Sequence, residues 1–121
     1  MNFGVNDIEY NGKITAVKVN ETSLASLKEN INQISDVASL FSSDVSTIYS
    51  YNLKNLDNEK INYGFVIGEN YKTPEEVLSA DKRAIDLYSM ASLNWKATQE
   101  IFEKLANLEI KIKQLMEKKE I

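Results

Sequence analysis

The sequence lacks both cysteine and histidine, and it contains only one proline and four glycines among its 121 residues. Without cysteine and histidine, the chain cannot assemble the usual ligand sets of zinc, haem and iron–sulfur centres. Ser-His-Asp and Cys-His catalytic arrangements are excluded for the same reason. The scattered glycines also do not match a phosphate-binding loop. The sequence therefore predicts a protein that is not an enzyme and that uses no cofactor and no metal.

Positive charge is also scarce, since 14 Lys and Arg residues face 18 Asp and Glu residues and the net charge is -4. This balance argues against a nucleic-acid partner, because binding to phosphates needs an excess of cations. No apolar run approaches the ~20 residues of a membrane span. Residues 1–7 have neither a basic n-region nor an apolar h-region. We therefore expect cytoplasmic synthesis without a signal peptide, with export by another route or packaging into a particle left open.

Residues 3–19 have the pattern of a β-hairpin. Residues 5–10 and 13–19 are rich in β-branched and aromatic side chains, and they flank Asn11-Gly12, a pair that favours a two-residue type I′ turn. A lone hairpin is only marginally stable in water, so it must pair with a strand, pack on a helix or contact another subunit. Residues 61–67 predict one short strand, which we expect to join the hairpin in a three-stranded sheet.

Residues 22–50 predict a medium-length helix. Its apolar residues recur at alternating steps of three and four, a heptad pattern that places them on one stripe. This first seam consists of Leu24, Leu27, Ile31, Ile34, Ala38, Phe41, Val45 and Ile48. The opposite face is rich in serine, a mediocre helix former, so this helix should depend on packing of its stripe more than on propensity.

A long helix is predicted from residue 74 to about residue 118. Thr73-Pro74-Glu75-Glu76 has the form of a capping box with proline in the first helical position. No glycine or proline follows, so the helix could extend for about 65 Å. Its second seam consists of Val77, Ala80, Ala84, Leu87, Ala91, Asn94, Thr98, Ile101, Leu105, Leu108, Ile112 and Leu115, widened by Tyr88, Trp95, Phe102 and Met116.

The length of this helix predicts self-association. A compact domain of this size has a radius of gyration of about 14 Å, so a rod of about 65 Å must project from it. The apolar stripe continues along the projecting part, and such a surface is normally covered by a partner. We therefore expect a homo-oligomer, and other subunits of a larger assembly as further partners.

Two features of the second seam have alternative interpretations. Asn94 and Thr98 form a polar layer that either sets the register and number of helices or marks a kink or a change of partner. Tyr88, Trp95 and Phe102 recur every seven residues along one edge. They belong to the core of a helical pair or, as a second interpretation, anchor a partner, since aromatic residues are enriched in interface hot spots.

Part of the long helix resembles a known class of proteins. The residues that carry the resemblance are Pro74-Glu75-Glu76-Val77-Leu78, Leu93, Lys96, Gln99, Ile101 and Leu105. They resemble the C-terminal helix of inner-rod subunits of bacterial type III secretion systems and of flagellar rod-adaptor subunits. A hairpin followed by heptad helices with serine- and asparagine-rich faces also resembles small structural proteins of phage tails, baseplates and fibres. Both resemblances imply a small subunit that assembles through helix packing.

Together these observations predict an α+β protein that is mostly α, with residues 1–72 and 73–121 in one structural unit. The predicted function is a non-enzymatic structural or assembly subunit of a phage tail, baseplate or secretion apparatus. The alternative is a small acidic binding module or an inhibitor of a host protein. The residues expected to form the interaction surface are Leu24, Leu27, Ile31, Ile34, Phe41, Val45, Ile48, Leu87, Tyr88, Trp95, Ile101, Phe102, Leu105, Leu108, Ile112 and Leu115.

Overall fold

The computed structural model describes residues 7–119 of the chain. It contains two short strands, β1 (Tyr49–Tyr51) and β2 (Asn62–Gly64), and one long helix, α1 (Leu87–Lys119). Single 3-10 turns occur at Ala25–Leu27, Ala38–Phe41 and Glu75–Val77. The prediction of a mostly α structure with a long C-terminal helix is confirmed, whereas the first half of the chain differs from expectation.

The two strands form an antiparallel pair. Tyr49 lies opposite Gly64 and Tyr51 lies opposite Asn62. The side-chain amide of Asn52 donates a hydrogen bond of 2.8 Å to the Lys60 carbonyl and closes the loop between them. The strand predicted at residues 61–67 is therefore confirmed in part. Its partner is β1 rather than the N-terminal hairpin, and within the described residues the sheet has two strands, not three.

The N-terminal hairpin predicted over residues 3–19 is wrong where the structure describes it, and residues 1–6 lie outside the described residues. No strand forms between residues 7 and 19. The side chains of Ile8 and Val17 are fully exposed, and that of Ile14 is three-quarters exposed. A two-stranded ribbon needs a further layer to bury one of its faces, and the contacts of residues 7–19 leave all of them exposed.

The helix predicted over residues 22–50 is also wrong, because the structure has no α-helix there: the segment contains two 3-10 turns, a turn at residues 42–46 and the start of β1, joined by non-helical chain. Asn30 has φ of 55°, which lies outside the right-handed helical region. The first-seam residues Leu24, Leu27 and Ile31 remain about two-thirds exposed. The packing on which this serine-rich helix was expected to depend is therefore missing from the isolated chain.

Local hydrogen bonds favour the non-helical path of this segment. The Asp36 carboxylate accepts a hydrogen bond of 2.8 Å from the Ala38 N–H, and this bond is the main reason that the pKa of Asp36 is lowered. The Ser46 hydroxyl donates a hydrogen bond of 2.8 Å to the Leu40 carbonyl. Short polar side chains of this kind offer the backbone an alternative to helical hydrogen bonds.

The start of the long helix differs from the prediction by 13 residues, since α1 begins at Leu87 and not at residue 74. The Thr73 hydroxyl does not cap a helix; it donates a hydrogen bond of 2.8 Å to the Val66 carbonyl. Glu75–Val77 forms one 3-10 turn, after which Leu78 is extended with ψ of 150°. The predicted capping box is therefore wrong.

A tight reversal of the chain separates this turn from α1. Leu78 forms an antiparallel bridge with Ile85. The Ser79 N–H donates a hydrogen bond of 2.8 Å to the Ala84 carbonyl. The Asp81 carboxylate accepts hydrogen bonds from the Ser79 hydroxyl and the Arg83 N–H at 2.7 and 3.1 Å. These side-chain bonds satisfy donors that a continuous helix would otherwise use.

Asp86 caps α1 at its N-terminus. Its carboxylate accepts hydrogen bonds from the Ser89 N–H at 3.0 Å and from the Ser89 hydroxyl at 2.9 Å. Its carbonyl accepts the first helical bond, from the Met90 N–H at 3.0 Å. An Asp N-cap bonded to the third helical residue satisfies one of the donors that every helix leaves free. The helix starts where this cap is available.

The core is small. Val37, Val77 and Ala97 are its buried apolar residues within the described chain. The Val37 N–H donates a hydrogen bond of 3.0 Å to the Glu100 carboxylate, which attaches the segment before the second 3-10 turn to α1. On the other side of the molecule, the rings of Tyr49 and Tyr71 meet edge to face with centroids 5.3 Å apart.

The accessible surface of the chain is 11366 Å². A compact monomer of this mass would expose about 6,600 Å². The isolated chain thus exposes about 4,800 Å² more than a compact protein of the same mass. Packing within one chain does not account for the apolar content of this sequence.

Replacing the cap should destabilise α1. Asp86→Ala removes both bonds to Ser89, and we expect it to lower the free energy of unfolding by about 1 kcal/mol. Urea unfolding followed by circular dichroism at fixed protein concentration measures this change. Asp86→Asn is the matched control, because asparagine is an equally good N-cap. An equal loss in both variants would contradict the proposed role of Asp86 as the helix cap.

The same cap makes helix stability depend on pH. The hydrogen bonds from Ser89, first that of its N–H, lower the pKa of Asp86 below the value of 3.8. A carboxyl group whose pKa is lowered on folding contributes stability above its unfolded pKa and loses it as the pH falls through the folded pKa. Wild type and Asp86→Asn should therefore be about equally stable at pH 7, and wild type should become the less stable of the two below about pH 4. A constant difference between the two unfolding curves from pH 7 to pH 2 would contradict this expectation.

Candidate interaction surface

Exposed apolar side chains form a stripe along α1, which we call the apolar stripe. It consists of Leu87, Tyr88, Trp95, Ile101, Phe102, Leu105, Leu108, Ile112, Leu115 and Met116, whose side chains are 45% to 73% exposed. All except Met116 belong to the predicted interaction surface. A side chain on a helix is already shielded in part by the preceding turn, so these values leave little of each side chain covered by other segments.

The anchoring face of α1 is a different one. It consists of Met90, Leu93, Ala97 and Glu100, which are buried or half-buried against the rest of the chain. At 100° per residue, the mean directions of this face and of the apolar stripe lie about 105° apart, although Leu108 and Leu115 point the same way as Met90 and Ala97. Internal packing therefore leaves the side of the stripe with Tyr88, Trp95 and Phe102 exposed.

Beyond the anchoring face, α1 projects from the rest of the described chain. Every side chain from Ile101 to Lys119 is exposed. This part of the helix is about 28 Å long. Six members of the apolar stripe after Ile101 lie on it: Phe102, Leu105, Leu108, Ile112, Leu115 and Met116.

The first predicted seam does not form a helical stripe, but part of it meets α1. Phe41 and Ile48 line a cleft of about 430 Å³ together with Ala91 and Asn94 of the second seam. Ala38 and Phe41 line a neighbouring pocket with Asn94, Thr98 and Ile101 of the second seam. The other first-seam members, Leu24, Leu27, Ile31, Ile34 and Val45, lie outside both pockets, on extended or turn segments, with 41% to 68% of each exposed. Only Ala38, Phe41 and Ile48 of the first seam thus meet the second seam.

We define the arm as residues 7–34, the extended segment that precedes the core. Its apolar side chains are spread along it, and Ile8 and Val19 are more than four-fifths exposed. The arm meets α1 where the Tyr88 hydroxyl donates a hydrogen bond of 3.3 Å to the Ser23 hydroxyl. Two exposed ion pairs also join it to the rest of the chain, Glu9 with Arg83 at 3.9 Å and Lys13 with Asp57 at 3.8 Å. Exposed polar contacts of this kind add little stability, so the arm is weakly attached to its own chain.

The polar layer of the second seam is compatible with a continuous helix. The Thr98 hydroxyl donates a hydrogen bond of 2.9 Å to the Asn94 carbonyl one turn earlier. Asn94 and Thr98 are both exposed, and α1 continues through them without interruption. The hydroxyl is satisfied by its own helix, so Thr98 needs no polar partner from another chain.

The anchoring face was not among the surfaces predicted from the sequence. Glu100 accepts the Val37 N–H and also lies 4.0 Å from the Lys96 ammonium group, as a half-buried ion pair. The signal was present, because Met90, Leu93 and Ala97 are spaced by three and four residues and so form a second, narrower apolar stripe. The prediction used the wider apolar stripe that lies next to it.

The lowered pKa values in the described chain have structural causes. Asp36, Asp81 and Asp86 have lowered pKa values, and each accepts hydrogen bonds in a turn or a helix cap. Within residues 7–119, no three carboxylates come together as a metal site. In the same residues, no helix has the length and apolar character to cross a membrane.

Comparison of the chain with protein-family models, with curated proteins and with solved structures finds no match.

The single tryptophan reports directly on the apolar stripe. Trp95 is 73% exposed in the isolated chain. If the stripe is covered by another chain, the indole should become shielded from a soluble quencher as the protein concentration rises. Acrylamide quenching of Trp95 fluorescence over a dilution series measures this protection. Equal quenching at all concentrations would show that Trp95 lies outside any contact between copies.

Proposed function

We propose that the protein is a non-enzymatic assembly subunit that associates with copies of itself through the apolar stripe of α1. The observation that supports this proposal is the length of the apolar stripe beyond the anchoring face. A stripe left over from imperfect internal packing would end near the buried residues. This stripe continues for about 28 Å past the last of them.

The amount of exposed surface supports a permanent assembly. The excess of about 4,800 Å² per chain is several times the roughly 800 Å² that each partner buries in a standard protein complex. Interfaces of obligate oligomers bury about 2,000–5,000 Å² in total, or about 1,000–2,500 Å² per partner, so the excess is enough for more than one such interface per chain. Transient recognition requires much less surface than this chain exposes.

The arm supports the same proposal. An extended segment with apolar side chains along its length gains stability only when a surface outside its own chain covers those side chains. In the proposed assembly, the arm of one copy packs against its neighbour. The first-seam residues Leu24, Leu27, Ile31 and Ile34 then contact another subunit, although they do not lie on a helix.

We further propose that the assembly belongs to a larger apparatus, such as a phage tail or baseplate or a bacterial secretion apparatus. The resemblance that suggests this context covers residues 74–105, of which α1 contains the part after residue 86. A cysteine-free chain with a projecting apolar helix is well suited to stacking with other subunits. In this proposal the mature location is a virion or a secretion apparatus.

A second candidate function is favoured by the aromatic edge of α1. Tyr88, Trp95 and Phe102 are 45% to 73% exposed, and aromatic residues of this kind anchor protein partners. A small acidic binding module or inhibitor of a host protein would use this edge as a monomer. The mass in solution separates the two candidates.

The test replaces two residues at the centre of the projecting stripe. Leu105→Asp with Leu108→Asp introduces charges where another helix is expected, and burying an unpaired charge is costly. Light scattering should give a multiple of 13.7 kDa for wild type and 13.7 kDa for the variant. Asn107→Asp with Gln114→Asp is the matched control, because both residues lie on the opposite face.

Two results would overturn this proposal. A wild-type mass of 13.7 kDa at every concentration favours the second candidate. An unchanged oligomer in the Leu105→Asp, Leu108→Asp variant shows that the stripe does not join the subunits.

A further inference from the structure

The heptad positions of the projecting part of α1 carry charges in an asymmetric arrangement. With Leu105 and Ile112 at position a, position d holds Ile101, Leu108 and Leu115. The g positions that flank this seam hold Lys104, Lys111 and Lys118, and the e positions hold Phe102, Glu109 and Met116. Thus one edge of the apolar stripe is entirely cationic, whereas the other edge is apolar with one carboxylate.

These edges do not pair within the chain. Lys104, Glu109 and Lys111 are exposed, and none of them has an ion pair within residues 7–119. Lys104 lines a shallow pocket beside Ala97 and Glu100, but its ammonium group is not within salt-bridge distance of a carboxylate there. The charges beside the stripe are therefore available to a second chain.

A parallel pair of these helices brings unlike edges together. In a parallel coiled coil with aligned chains, a g residue faces the e residue five positions later on its neighbour. Lys104 of one copy then faces Glu109 of the next. Lys111 faces Met116, over which the methylene stem of a lysine packs well. Lys104 thus faces a carboxylate, and Lys111 faces an apolar side chain on which its stem can pack.

An antiparallel pair brings like edges together. In that arrangement g residues face g residues, so Lys104, Lys111 and Lys118 of one helix meet the same three lysines of the other. In an antiparallel pair of the projecting parts, every register in which position a faces position d places two lysines opposite each other. In the register that pairs Leu105 with Leu115, Glu109 also faces its own copy. Like charges at these positions oppose association.

We propose that α1 associates with α1 of other copies in parallel and in register, with Lys104 of one chain paired to Glu109 of its neighbour. This inference rests on the proposed function and adds the orientation and alignment of the chains. All copies of the core then lie around one axis at the same end of the bundle. The arms also leave from that end, where each can reach the adjacent copy.

The absence of cysteine makes disulfide trapping a clean test of orientation. Leu115→Cys places one thiol per chain at a d position. In a parallel, in-register bundle each d residue faces its own copy, so mild oxidation with oxidised glutathione should cross-link this variant to itself. In an antiparallel bundle d faces a, and the same variant should not cross-link.

Two controls complete this test. Glu117→Cys lies on the outer face and reports random collisions. A mixture of Leu108→Cys and Leu115→Cys chains reports a shift of one heptad, which would give a mixed disulfide in place of the self-linked one. An oligomeric Leu115→Cys protein that cross-links no faster than Glu117→Cys overturns the parallel orientation and leaves the proposed function intact. A monomeric wild type overturns both.

The pairing of Lys104 with Glu109 has its own test. Glu109→Lys brings two lysines together across the parallel interface and should raise the dissociation constant several-fold at low salt, with a smaller effect at high salt. Glu103→Lys is the matched control, because it makes the same change in charge on the outer face. Equal effects of the two substitutions would contradict the ion pair between copies.

Discussion

The two functional faces of α1 lie on one rigid element but point roughly a third of a turn apart, and this separation governs the rest of the molecule. Met90, Leu93 and Ala97 attach the helix to its own chain. The apolar stripe stays 45% to 73% exposed from Leu87 to Met116, although Tyr88 and Ile101 touch the rest of the chain. If one face had to serve both purposes, the β1–β2 pair and the 3-10 turns would cover the residues proposed to join the subunits. Because the faces are separate, a core can form in each chain without blocking association.

The sequence predicted those features that depend on local periodicity over a long stretch. The three-and-four spacing and the lack of glycine and proline after residue 74 were sufficient to identify α1. The start of the helix was missed because Asp86 and Ser89 form a better cap than Thr73 and Glu76, whose side chains lie in a different local structure. The contacts between Ser79 and Asp81 favour the chain reversal that lies between Thr73 and Asp86. Whether short polar side chains form local hydrogen bonds of this kind is hard to predict from sequence.

The first half of the chain could not be predicted from pattern alone. Residues 22–50 have a heptad spacing, yet spacing gives a helix only where a packing partner compensates for weak propensity. Serine side chains and the Asp36 carboxylate bond to nearby backbone groups, and Leu24 and Leu27 find no cover in the isolated chain. The predicted length of the C-terminal helix indicated that its last residues project and form the candidate surface. The anchoring face was missed because its three-and-four spacing gives a narrower stripe than the neighbouring one, and spacing alone does not show which of the two packs against the chain.

The arm has a consequence for how the protein accumulates. In the proposed assembly, residues 7–34 gain most of their stabilising contacts from a neighbour, so their ordering draws on the free energy of association. By mass action, the stability of such a chain rises with its own concentration. Newly made subunits at low abundance then remain open to proteases along the arm, whereas completed particles protect it. In the proposed assembly, quality control is therefore built into the chain, because copies that fail to find a place are the ones most easily removed.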